Sequence, residues 1–185
     1  MDHKKIKMMC EAAMLLAFAQ ILGYLRVYEF PNGGSVDAAM LPIILFAVRY
    51  GCGWGTLVGF AHGMLQYFLG NGIAIDWTTM IADYLIAYAL LGFGAGLMAG
   101  KKNAMVKGTL LGGALRFVAH FVVGAVVWGK WMPDSYFGMT MTNEWFYSFL
   151  YNAPYVVLCV LFCIVLILLL NKPLGKYFRA EDLSA

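Results

Sequence analysis

The chain has 185 residues, of which 62% are hydrophobic and only 12% charged, with a formal net charge of +3 and a mean hydropathy of +0.74. A soluble domain carries about 25% charged residues, so a water-soluble core-and-shell fold is excluded and the apolar excess must face lipid. The length accommodates about six spans of some 20 residues with short loops, and no separate soluble domain beside them.

The N-terminus is basic and then apolar, in the manner of a signal peptide. Its apolar run outlasts the usual core of such a peptide and no small-residue cleavage site follows, so we expect a retained first helix over 6–27. Ala13 and Ala17 place small residues one turn apart on it. Such a strip permits close helix approach, either within the bundle or against a partner protein. Glu11 is expected to pair with Lys7 at i,i+4.

A turn-rich stretch, residues 28–35, closes the first hairpin through Pro31, Asn32, Gly33 and Gly34. Helix 2 is expected over 35–50, short for a span and broken by Pro42, with Ser35 as N-cap and Asp37 in a first turn that suits the helix dipole. Helix 3 is expected over 53–69. Gly51, Gly55, Gly59 and Gly63 recur every four residues and form a smooth groove for a neighbouring helix. His62 and Gln66 flank that strip, and either pack against each other or line a cavity.

Helix 4 is expected over 77–99. Asp83 and Tyr84 fall two turns into it, about 10 Å below its start, where a carboxylate needs a partner or a ligand. Gly92, Gly96 and Gly100 supply a second glycine strip. Helix 5, over 104–128, holds the segment that organises the chain: Arg116, His120, Gly124 and Trp128, each four residues from the last, share one face. Residues 129–144 read as an interfacial cap. Helix 6, over 145–170, carries Tyr147, Tyr151 and Tyr155 at i,i+4, Asn152 alongside, and Pro154, followed by a polar tail. The four cysteines all lie in or beside spans and are assigned no chemistry.

Six spans put Lys4, Lys5, Lys7, Arg49, Lys101, Lys102, Lys107, Lys172, Lys176 and Arg179 on one side and only Arg26 and Lys130 on the other. The positive-inside rule therefore predicts both termini in the cytoplasm. On that topology Asp83, Tyr84, His120, Trp128, Tyr147, Tyr151 and Asn152 gather in the outer halves of three helices, near the loops that hold Ser35 and Trp131. An aromatic belt at the membrane interface accounts for Trp131, Tyr136 and Trp145, but not for Asp83, His120 and Asn152. We read the group as a cavity open to the outside, suited to an aromatic, polar, cationic small molecule. No motif at metal-ligand spacing, no serine elbow and no phosphate-binding glycine loop occurs in the sequence, so neither an enzyme nor a self-powered ATPase is expected. The basic residues flank spans, which argues against nucleic acid as a partner.

These residues also carry a resemblance. Residues 31–35 (PNGGS), 41–43 (LPI) with 49–51 (RYG), Asp83-Tyr84, residues 115–120 (LRFVAH) with Gly124 and Trp128, and Tyr147-Ser148 with Tyr151-Asn152 resemble, in order and spacing, the thiamine-binding S components of energy-coupling factor (ECF) transporters, the ThiT/YuaJ family. The resemblance runs over nearly the whole chain. It implies a six-helix S-component fold that binds thiamine near the outer face of a prokaryotic cell membrane. It also implies a separate ECF module, a transmembrane T component with two ATPase subunits, that powers uptake. By that resemblance Asp83 reads the aminopyrimidine, a role some members give to glutamate. His120 and Trp128 pack around the thiazolium, Tyr147 and Asn152 complete the polar contacts, and Ala13 and Ala17 lie on the face that docks the T component. Some members carry tryptophans where this chain has Gly33 and His62, which leaves open a thiamine phosphate or a pyrimidine precursor as ligand. A stand-alone secondary carrier is the alternative. The resemblance and the residues call for no cofactor.

Overall fold

The computed structural model describes residues 3–30, 34–69, 74 and 77–183. The turn residues Pro31, Asn32 and Gly33 and most of the loop at 70–76 lie outside the described residues. The order of elements is α1 (His3–Tyr24), β1 (Tyr28–Glu29), β2 (Ser35–Val36), α2 (Met40–Tyr50), α3 (Cys52–Phe68), α4 (Trp77–Gly96), α5 (Ala104–Val126), β3 (Ser135–Tyr136), β4 (Met139–Thr140) and α6 (Glu144–Phe178). Among the described residues, the helical segments His3–Tyr24, Trp77–Gly96, Ala104–Val126 and Glu144–Leu183 are long and apolar enough to cross a membrane. The 17 residues of α3 reach the lower limit for a span.

The centre of the fold is α2. Its 11 residues rise only about 16 Å, half a hydrocarbon layer, and every residue from Met40 to Arg49 is buried. A helix that is apolar all round is stable only when other helices surround it; α1, α3, α4, α5 and α6 all touch this one. The expected helix over 35–50 is therefore corrected at its start. Ser35 pairs with Glu29 in a short antiparallel ribbon and caps no helix. Asp37 Oδ1 instead accepts from the Ala39 amide at 2.9 Å, and its Oδ2 accepts from the Ser35 hydroxyl at 2.9 Å. Pro42 causes no break, because in the first turn its missing N–H has no intrahelical partner to lose.

The glycine strips on α3 and α4 pack on one another. A Cβ on Gly59 would lie 2.0 Å from the Tyr88 carbonyl, one on Gly63 2.5 Å from that of Tyr84, and one on Gly92 2.0 Å from that of Gly55. Gly51 stands apart from this contact. With φ +86° and nothing within 4 Å of a built Cβ, it turns the chain between α2 and α3 in a conformation that side chains resist.

Two further expectations need correction. α6 runs through the stretch read as a polar tail, continuing to Phe178 despite Pro154 and Pro173. Glu11 pairs with Arg49, not Lys7, while Lys7 approaches Asp182 at 3.5 Å. Arg49 uses all five of its N–H donors: on Glu11, on both carboxylate oxygens of Asp182 at 2.8 Å, and on the Tyr177 carbonyl at 2.7 Å. The hydroxyls of Tyr50 and Tyr177 donate to the same Glu11 carboxylate. Arg49 is thus a buried knot joining α1, α2 and the end of α6, not a solvated flanking charge.

Candidate functional site

At the end of the fold away from this knot lies a cavity of about 470 Å³, within the range of small-molecule sites. Asp83 and Tyr84 reach it from α4 through a local change of helix type. Residues Met80–Ile86 form a π-helical segment between α-helical turns. Asp83 and Tyr84 within this segment and Tyr88 just after it all line the cavity.

α5 brings Arg116 and His120, and a 3-10 turn, Trp128–Trp131, swings Trp128 over the opening. The Asp83 carboxylate joins the two elements: Trp128 Nε1 donates to Oδ2 at 2.7 Å, and His120 Nδ1 lies 3.2 Å from Oδ1. Arg116 Nε lies 3.3 Å from the other ring nitrogen of His120.

α6 begins at an Asn143 cap that accepts from the Phe146 amide at 2.8 Å. It supplies Tyr147, Ser148, Tyr151, Asn152 and Tyr155 to the cavity wall. Gly124 lets it come this close. A Cβ there would sit 2.3 Å from Ser148 Oγ and 2.9 Å from Asn152 Nδ2. Ser148 Oγ donates to the Phe121 carbonyl at 2.7 Å, Asn152 Nδ2 to the His120 carbonyl at 3.3 Å, and Tyr155 to Asn152 Oδ1 at 2.8 Å. Over this wall folds the β3–β4 hairpin. Its two-residue turn, Phe137-Gly138, has positive φ at both positions, as a tight hairpin requires. The hairpin buries Tyr136, whose ring centroid is 5.5 Å from that of Tyr147 and 6.2 Å from that of Tyr151.

The structure thus brings together Ser35, Gln66, Asp83, Tyr84, His120, Trp128, Tyr147, Tyr151 and Asn152 around one space. His62 is placed differently. It is fully buried behind the lining, 3.2 Å from Gln66 and edge-on to Tyr88 at 4.6 Å. Arg116 also lines the cavity. Sequence reading passed over Tyr88, Tyr155 and Ser148 as lining residues. Both tyrosines had a signal: Tyr155 continues the i,i+4 series of Tyr147 and Tyr151, and Tyr88 follows Tyr84 at the same spacing. Asp37 both closes the turn before α2, through the Ala39 amide, and lines the cavity.

The formal charge of the lining follows directly. Glu29, Asp37 and Asp83 face Arg26 and Arg116, which leaves one negative charge in excess while His120 is neutral. With tyrosine and tryptophan rings around it, such a space favours an aromatic monocation with hydrogen-bonding edges. Among the described residues, no group of three or more His, Cys, Asp or Glu side chains can hold a metal ion.

The family model described as "Thiamine transporter protein (Thia_YuaJ)" matches residues 9–179. The thiamine transporter ThiT of Bacillus subtilis is 32% identical over 97% of this chain and 98% of that protein. The protein of the same name from Lacticaseibacillus paracasei is 27% identical over 98% of this chain and 94% of that protein. In fold, the chain is similar to the solved structure of ThiT from Listeria monocytogenes, with a TM-score of 0.79, 20% identity, and coverage of 95% of this chain and 99% of that one. These relatives are named transporters, not enzymes. A match over residues 9–179, with a relative at 32% identity over 97% of this chain and 98% of its own length, shows that the chain belongs to the thiamine transporter (Thia_YuaJ) family.

Proposed function

We propose that this protein is the substrate-binding (S) subunit of an ECF-type, ATP-driven importer and that its ligand is thiamine. The observation that carries the reading is the excess of one carboxylate in an aromatic cavity, matched to a ligand with a cationic thiazolium and a hydrogen-bonding aminopyrimidine. Asp83 accepts from the aminopyrimidine, with Trp128 and His120 orienting its carboxylate. Tyr84, Tyr147 and Tyr151 supply ring faces, while Asn152, Ser35 and Gln66 supply polar edges. His62 acts from behind, through Gln66.

In this reading the chain is a single six-span unit of a prokaryotic cell membrane, with both termini in the cytoplasm and the cavity open to the outside. The concentration of Lys4, Lys5, Lys7, Lys101, Lys102 and Lys107 away from the cavity supports that orientation. The chain has no phosphate-binding loop of its own, so uptake depends on a partner module with a T component and two ATPase subunits. Ala13 and Ala17 are exposed on α1, which leaves their strip available for that module.

Purified protein is expected to bind thiamine without ATP, read by quenching of tryptophan fluorescence. Failure to bind thiamine, with binding of thiamine phosphate or the pyrimidine half, overturns the ligand assignment. In proteoliposomes the chain alone is expected to transport nothing. Ion-driven uptake by the chain alone makes it a secondary carrier instead. Ala13→Trp and Ala17→Trp are expected to retain binding and to lose uptake when the module is present.

A further inference from the structure

The two buried arginines are satisfied in opposite ways. Arg49 spends its five donors mainly on two carboxylates. Arg116 forms no ion pair among the described residues. Its Nε faces His120 Nε2 at 3.3 Å, one terminal nitrogen donates to the Tyr88 hydroxyl at 3.3 Å, and the other reaches the Met40 sulfur at 3.8 Å. Its guanidinium carbon lies 4.5 Å from the Tyr88 ring centroid.

A guanidinium stays protonated and its Nε–H can only donate. His120 Nε2 must therefore offer a lone pair, and the single ring proton must sit on Nδ1, which points at Asp83 Oδ1 across 3.2 Å. A second proton on Nε2 would remove the acceptor and set an imidazolium against a guanidinium. The other groups around the ring are Asp83 from α4, Tyr155 from α6 with its centroid 6.1 Å away, and Asp37 and Tyr151 across the cavity. Of these, Asp83 meets the Nδ1 side and Tyr155 donates its hydroxyl to Asn152 Oδ1.

We infer that Arg116 is a positioning residue for ligand binding: it locks His120 as the neutral Nδ1–H tautomer. The lock has a consequence for the cavity. A charged His120 would cancel the one excess negative charge, and a cationic ligand would meet an internally neutralised Asp83–His120 pair. What the lock preserves is the open charge of Asp83 and not the net charge of the lining, since loss of Arg116 removes one positive charge where a protonated His120 adds one. This inference rests on the thiamine reading for its consequence, but not for the tautomer.

The test is a long-range ¹H–¹⁵N spectrum of ligand-free protein in micelles, labelled at histidine, with the His120 signals identified by their loss in His120→Gln. His120 is expected to show the neutral Nδ1–H pattern at pH 7.5 and to keep it at pH 6. In Arg116→Gln the Nε2–H and charged patterns are expected to grow at pH 6, and thiamine affinity to fall at least about fivefold between the two pH values. The wild type should change less than about twofold; titration of the ligand itself is common to both proteins. A wild-type Nε2–H or charged pattern overturns the inference without any variant, and so does an unchanged spectrum in Arg116→Gln. A wild-type Nδ1–H pattern in a protein that binds no thiamine supports the tautomer lock and overturns the ligand reading alone.

Discussion

The indole of Trp128 donates to the Asp83 carboxylate at 2.7 Å, so one ring of the cavity wall is fixed by a carboxylate of the same wall. The bond ties the end of α5 to the π segment of α4. Trp128→Phe keeps an aromatic ring and removes the donor. A hydrogen bond to a charged group contributes about 1.5–3 kcal/mol, so thiamine affinity is expected to fall about tenfold or more. Asp83→Asn removes the charge as well and should weaken binding further. Calorimetric titration of both variants checks the order, and normal affinity in Asp83→Asn counts against the assignment.

Gly124 sets the distance between α5 and α6. Gly124→Ala places a methyl 2.3 Å from Ser148 Oγ and 2.9 Å from Asn152 Nδ2, so both side chains must give way. Overpacking of this kind costs about 1–3 kcal/mol. Here the displaced residues include Asn152, which holds the backbone beside His120. We expect weaker thiamine binding together with a lower unfolding temperature, the first by titration and the second by a thermal scan in detergent.

The α3–α4 contact predicts a contrast within one helix. Gly59→Ala meets the Tyr88 carbonyl at 2.0 Å and is expected to destabilise by about 1–3 kcal/mol. Gly53→Ala has nothing within 4 Å and is expected to be neutral, or stabilising by up to about 1 kcal/mol. Side-by-side thermal scans decide, and equal effects at the two positions contradict the packing described.

Arg49 and Glu11 bury side chains that are 0% and 6% exposed, whereas Asp182 is 35% exposed. Removing one partner of a buried pair costs about 3–5 kcal/mol, and an exposed one about 1 kcal/mol or less. Glu11→Ala is therefore expected to lower the unfolding temperature far more than Asp182→Ala. Comparable losses would place Asp182 at the centre of the knot instead.

Much of the candidate site was legible because its signal is local. Arg116, His120, Gly124 and Trp128 repeat at helical spacing, and Tyr147, Tyr151 and Tyr155 do the same, so each face follows from the period of the backbone. An ionisable residue in an apolar run also marks itself, because lipid does not tolerate it unpaired. The π segment over Met80–Ile86 was illegible for the complementary reason. A π turn depends on what packs against the helix, and nothing in residues 80–86 of the sequence announces it.

Composition and periods of a few residues suffice for the lipid-facing character, the order of the apolar segments and the residue types available to the cavity. Which charges neutralise one another is settled only by the packed helices. Glu11 chose Arg49 over Lys7 because the buried guanidinium offers it paired donors across 38 positions of chain, and Arg116 was left to face a histidine. The close backbone approach at Gly59 and Gly124, and the burial of α2 on every side, likewise arise only when the helices assemble. Each depends on a partner distant in the chain, and no local period encodes that partner.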